Sequence, residues 1–338
     1  MDPVDREFWI DCADDDLQTI FRKLLSRGYS REESIEILAS GELVDVLLEE
    51  REIEIAEQKY EGYKKNFLKL HDLKCAADAQ FFRANIEKWG DCFVACDALH
   101  VHAVFLNNEY QNDLRSILSD EVKKETNFLH YSLMANYARA CQIYAEIFCL
   151  LKNGFANGAF ARWRSLFELL VVSEFLMKCG EETAKAYLYS CNNAKEKYEW
   201  AKTAACFKNL KSVQFSDLRK EVEIAHDFVA YEEYSLSHKM VHASPFGIFN
   251  GVGVRENDAG LYDGPSHWGL AGPAILTVRV FAVLSGLYFM QYDITKWRAI
   301  GESFVYWVKD ITDNFVKQAE INGDLDIVDE FDDFAITR

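Results

Sequence analysis

The residues best suited to chemistry fall in two segments. The first is RWRSLFELLVVSEFL, residues 162–176, where Arg162, Arg164, Ser165 and Glu168 interrupt an apolar run. At about 100° per residue, Asn157, Arg164 and Glu168 share a stripe with Val171 and Phe175. Arg162 falls on another face, beside Leu166, Leu169 and Ser173. Apolar residues occupy every direction from Leu166 onward, which predicts a helix buried all round. A buried ion is costly unless it is paired and hydrogen-bonded. Arg164 and Glu168, one turn apart, can pair with each other, yet each needs further partners. The second segment, YEEYSLSHKMVHAS at residues 231–244, can supply them. As a helix it puts Tyr231, Ser235, His238 and His242 on one face, with Tyr234 and Ser237 alongside. An imidazole at such a site can move a proton near neutral pH, and a guanidinium can clamp an anion. His238 is thus the candidate acid/base and Arg164 the anion clamp, with Glu168 beside it and Tyr234, Ser237, His242 and Asn157 as binding residues. The His238/His242 spacing would also suit zinc, with Glu168 or Glu232 as a third ligand. A lone H-x-x-x-H is weak, however, and histidines bonded to a buried carboxylate are the commoner arrangement. The expectation is therefore no metal and no cofactor.

A second pair competes. Arg219 and His226, in RKEVEIAH, are seven apart and on one helical face, a spacing that resembles the R-x(4–6)-H arrangement of HEPN ribonucleases. That resemblance implies an arginine steadying a phosphate while a histidine moves the proton of a ribose 2′-hydroxyl. The chain has no Walker A loop, no dinucleotide glycine fingerprint, no G-x-S-x-G elbow and no H-E-x-x-H, which argues against the nucleotide-binding, α/β-hydrolase and zincin classes. Cys92 with Cys96, and His100 with His102, sit in apolar sequence and read as packing.

The elements that would position these residues are helices. Apolar types make up 49% of 338 residues while only 4 Pro and 17 Gly punctuate them, too few turn signals for a strand-and-turn fold. The expected class is all-α: a multi-helix bundle at residues 58–307, an acidic helical N-terminal extension at 1–57 and an acidic tail at 308–338. Ser30 and Glu33 form a capping box that should start a helix near Arg31. A long charged helix should follow over about 43–82, kinked at Gly62. Helical patterns continue through the body, including residues 213–244 up to Pro245, and Pro273 fits the first turn of a last core helix ending near Met290. The glycine-rich stretch 247–269 is a candidate lid.

Charge sits at the ends. Residues 1–57 hold 17 Asp and Glu against 6 Lys and Arg, and residues 320–338 hold 7 against 1, which leaves the middle of a chain of net charge −18 near neutral. Acidic ends suit solubility or a basic protein surface, and the near-neutral middle leaves a nucleic-acid partner open. Nine cysteines without a C-x-x-C pair point to a reducing compartment, and the acidic start lacks a signal peptide's apolar region, so the expected location is the cytoplasm. The run 269–290 is long enough to cross a bilayer but carries Arg279 near its middle, which predicts a buried helix and no membrane partner.

The combination of GFANGAFARWRSLFELLVVSEFL with the later YSLSHKMVHAS resembles an uncharacterised family of bacterial helical proteins, a domain of unknown function. Its features are a helix of the form A-x-x-R-x-R-S-L-x-E and a later Tyr/Ser/His segment. The likeness covers about 81–290 and carries over Arg162, Arg164, Ser165 and Glu168, then Tyr234, Ser237 and His238. Such families are similar in architecture to HEPN-type and abortive-infection proteins, which implies a phage-defence or toxin-like role. If the chain is an enzyme, it is expected to be a metal-independent, ribonuclease-like hydrolase acting on RNA. The alternative is a non-enzymatic scaffold in which the same polar cluster is structural, with a protein partner from the same system or a second copy of the chain.

Overall fold

The structure, a computed structural model, describes residues 15–41, 44–117, 127–192, 197–223, 234, 237 and 264–324. Among them are ten α-helices, three short 3₁₀ turns and no strand, the all-α bundle that the composition predicts. The chain divides into two compact units, Met1–Ala77 and Asp78–Arg338, a division further along than the charge boundary at 57/58.

The first unit holds α1 (Asp15–Ser26), α2 (Arg31–Ser40), α3 (Val44–Lys64) and the opening turns of α4 (Phe67–Ile117). The Ser30 hydroxyl accepts from the Glu33 amide at 3.2 Å while the Glu33 carboxylate accepts from the Ser30 amide at 2.8 Å, so the capping box starts α2 where expected. Gly41, at φ 76°, closes it. A small core of Ile20, Leu24 and Leu47 joins α1, α2 and α3. Around it Lys23 bridges Glu50 and Glu54 at 3.0 and 2.8 Å. The expected kink at Gly62 falls instead at residues 65–66, where the Asn66 amide donates to the Gly62 carbonyl at 2.8 Å. An Asn side chain can complete the helix end there, so no glycine conformation is needed.

In the second unit α4 continues and is followed by α5 (Phe128–Lys152), α6 (Ala156–Cys179), α7 (Glu181–Tyr189), the short α8 (Phe215–Lys220), α9 (Ala271–Phe289) and α10 (Thr295–Asn322). The apolar α9 packs against α5, α6 and α10 and is buried along nearly its whole length, as predicted for the run around Pro273. Aromatic rings knit the layers: Tyr137 of α5 stacks on Tyr288 of α9 at 4.4 Å, and Trp89 of α4 meets Phe315 of α10 at 5.8 Å. Cys92 and Cys141 lie in this core, where burial pushes both thiols up to about 12. His100 stacks on Tyr144 and bonds the Cys141 carbonyl at 3.1 Å, while His102 lies beside Trp307. These residues are packing, as read.

Three expectations need correction. Residues 308–322, assigned to the acidic tail, belong to α10, and Ile311, Phe315 and Ala319 are wholly buried. The reason is their four-residue spacing, which makes one apolar face beneath the charges. The helix expected to run on from residue 213 stops at Lys220, and residues 221–223 form a turn. The stretch read as a lid is pinned at its far end. The Ser266 amide donates to Gly154 O at 2.9 Å, His267 bonds Asn85 at 3.0 Å and stacks on Phe81, and the Gly269 amide donates to the Asp324 carboxylate at 3.0 Å. Residues 247–263 lie outside the described residues, as do 325–338.

Candidate anion-binding site

Helix α6 carries the first cluster. It begins after Gly154, whose φ of 77° and close neighbours allow no side chain. From Leu170 to Leu176 every residue is buried, whereas Arg162, Arg164, Ser165, Glu168 and Leu169 are half-buried. The expectation of a helix buried all round thus holds for its second half only, because the earlier turns line the surface that faces α8 and the 3₁₀ segments.

The Arg164 guanidinium lies over the ring of Tyr234 at 5.3 Å, and its Nη2 donates to the Tyr234 hydroxyl at 3.3 Å. On α8, Arg219 puts its own guanidinium over the same ring at 5.5 Å. Phe167 and Phe215 flank the ring at 5.4 and 5.8 Å. The Nε of Arg164 is buried and has no acceptor among the described residues. Ser237 is fully buried and donates to the Tyr234 carbonyl at 2.8 Å, fixing that turn. The two arginines that the sequence offered as rival sites therefore meet on one tyrosine.

Glu168 does not pair with Arg164. Its carboxylate takes Lys197 Nζ at 2.6 Å, and Lys197 also lies over the ring of buried Tyr198. The reason is geometric, since Tyr234 holds the Arg164 guanidinium. Burial pulls the Lys197 ammonium down, but its bonds to Glu168 and Tyr198 outweigh this and leave it raised. Burial raises the Tyr198 hydroxyl despite its bond to Lys197. Arg162 has a partner that the sequence did not supply: its Nε pairs with Glu146 of α5, and its Nη1 donates to Ser165 at 3.3 Å. Asn157 is half-buried, and no hydrogen bond among the described residues joins it to the cluster. His226, Tyr231, Glu232, Ser235, His238 and His242 lie outside the described residues. The single helical face expected for Arg219 and His226 is not formed, because α8 ends between them.

Among the described residues no group of three His, Cys, Asp or Glu is placed to hold a metal ion. What the cluster offers is positive charge beside aromatic surface, and a guanidinium pair suits a phosphate or carboxylate.

Two further polar groups escaped sequence reading. Glu174, nearly buried, accepts from the Glu223 amide at 2.8 Å and so ties α6 to the turn after α8. His130 links Gln291 at 3.0 Å with Gln111 at 3.4 Å, next to Tyr288, which donates to Asn107 at 2.8 Å. Burial lowers the His130 imidazole against the raising effect of Gln291. Neither carries a sequence signal beyond a lone polar residue in a helix.

Residues 130–205 match the model of a family of unknown function (DUF5677). The match spans α5 to the 3₁₀ segments, so it holds Arg162, Arg164, Glu168 and Lys197 but neither Arg219 nor Tyr234. No curated protein and no solved structure matches the chain.

Proposed function

We propose that the protein is a cytoplasmic helical effector of a phage-defence or toxin-like system that binds RNA at Arg164, Arg219 and Tyr234 and cleaves it without a metal ion. The observation that carries this reading is the pair of guanidiniums on one tyrosine ring, 5.3 and 5.5 Å from its centre. Two cations held so close repel each other, and an anion that enters between them relieves that repulsion. A phosphate diester fits, and Arg is the side chain that holds phosphate with directed hydrogen bonds. The Arg/Tyr/His combination is that of HEPN-like ribonucleases, with the roles spread over Arg164, Arg219 and His238. In this reading, His238 is assigned from sequence alone. Its imidazole takes the proton of the ribose 2′-hydroxyl, the freed oxygen attacks the phosphorus, and the 5′-oxygen leaves with the proton returned from the imidazolium.

Binding of single-stranded RNA by the purified protein, measured across a salt series, tests the phosphate contact. Each lost contact lowers the slope of log K against log salt by about 0.7, so Arg164→Ala and Arg219→Ala should each show that drop and weaken binding. Unchanged slopes in both variants would overturn the reading. Expression in cells tests the cleavage step: wild type should arrest growth and degrade RNA, and His238→Ala should do neither.

The Glu168 pair with Lys197 and the Arg162 pair with Glu146 favour a second reading, a scaffold in which the cluster holds helices together. There, Arg164→Ala lowers the melting temperature and leaves RNA binding at the background of wild type.

A further inference from the structure

The first unit presents a helix face that no other described residue of that unit covers. Val46, Ile53 and Tyr60 on α3 and Phe67 at the start of α4 recur every seven residues. Ala56, Tyr63 and Leu70 follow three positions after Ile53, Tyr60 and Phe67. The large members of this stripe are open to solvent: Val46 is 51% exposed, Ile53 54%, Tyr60 55% and Tyr63 59%. The unit's own core uses a different face of α3, through Leu47. Hydrogen bonding continues through the turn at 65–66, with Lys65 N to Glu61 O at 3.1 Å and Leu70 N to Asn66 O at 2.9 Å, so the repeat stays in register across it. Apolar positions alternating three and four apart over this length form the seam of a two-stranded coiled coil.

Charge identifies the second strand. Residues 49–57 hold Glu49, Glu50, Glu52, Glu54 and Glu57 against Arg51. Residues 58–74 hold five lysines, Lys59, Lys64, Lys65, Lys69 and Lys74, against Glu61 and Asp72. The stripe is therefore acidic in its first half and basic in its second. A parallel copy would set like charge on like. A reversed copy sets each acidic half on a basic half, and the same reversal places Val46 opposite Leu70, Ile53 opposite Tyr63 and Ala56 opposite Tyr60. Every one of those is a seam position. We propose that α3 and the opening turns of α4 form an antiparallel coiled coil with the same segment of a second copy of this chain.

Sedimentation equilibrium of the full chain tests it. The wild type should run at twice the monomer mass of 38.9 kDa and dissociate as salt rises. The double variant Ile53→Asp, Tyr60→Asp should be a monomer of unchanged helicity by circular dichroism, while Leu68→Asp, at an 80% exposed position off the seam, should stay dimeric. Orientation is read in a chain whose exposed native cysteines are serine: Val46→Cys mixed with Leu70→Cys should form an oxidised cross-link between the two variants. A monomeric wild type, a dimer that survives the double variant, or Val46→Cys linking preferentially to itself would each overturn the proposal.

Discussion

At the residue scale, a polar side chain in an apolar helix is a demand for a partner, and the partner decides what the residue can do. The sequence showed that demand for Arg164, and Tyr234 from the expected segment meets it. Glu168 made the same demand, but its partner Lys197 lies in AKEKYEW, where almost every residue is polar and none stands out. His130 shows what a met demand does to titration. Burial lowers its imidazole below the ordinary value of 6.5, so as pH falls through that value the unfolded chain takes up a proton before the folded chain does. Stability is then highest above pH 6.5, declines below it, and levels off once the folded imidazole is also protonated. Denaturant titrations on either side of pH 6.5 should show this loss, and His130→Gln should blunt it. Some dependence should persist in the variant, because burial, helped by the nearby charge of Lys88, lowers His267 in the same direction. Equal pH slopes in wild type and variant would show that the folded state does not hold His130 neutral.

At the scale of elements, the helices were legible wherever a cap or a period marked them: the Ser30/Glu33 box, Pro273 and the apolar face of α6 all did. The far end of α10 was misread because its acids drew attention from the four-residue spacing of Ile311, Phe315 and Ala319. The joint between α5 and α6 left almost no trace in the sequence, since it depends on residues distant along the chain. Asn85 of α4 donates to the carbonyls of Leu151 and Lys152, both at 3.0 Å, and so finishes α5 from outside. Gly154 then turns the chain at φ 77°, with the Phe81 ring 2.4 Å from where a Cβ would stand. Gly323, which ends α10 at φ 73° with open space around it, supplies the control. Both positions pay about 1–2 kcal/mol for an L residue in the left-handed region, and only Gly154 adds a clash. Gly154→Ala should therefore lower the melting temperature clearly more than Gly323→Ala, as read by calorimetry. Equal losses would mean that Phe81 and the Ser266 backbone move aside at no cost.

For the whole molecule, the decisive choice is what surrounds α9. By length and composition alone this helix could cross a bilayer, and the sequence argument against it rested on the single charge of Arg279. The second unit resolves this by wrapping α5, α6 and α10 around it, so that Val278 and Phe281 have no exposure at all. Arg279 itself is only 8% exposed, the long stem packing with the apolar residues of the helix. A bilayer span and a core helix answer differently to a charge at their centre. In lipid, an aspartate beside the existing arginine hinders insertion by about 2.5–3.5 kcal/mol and leaves separately folded parts standing. At the centre of a packed bundle it puts an unpaired carboxylate where no water reaches, and the bundle fails as one body. Val278→Asp should therefore abolish the cooperative melting transition of the second unit and yield aggregated protein. The wild type should stay at the bottom of a vesicle flotation gradient, and its co-migration with the vesicles would reverse this assignment of α9.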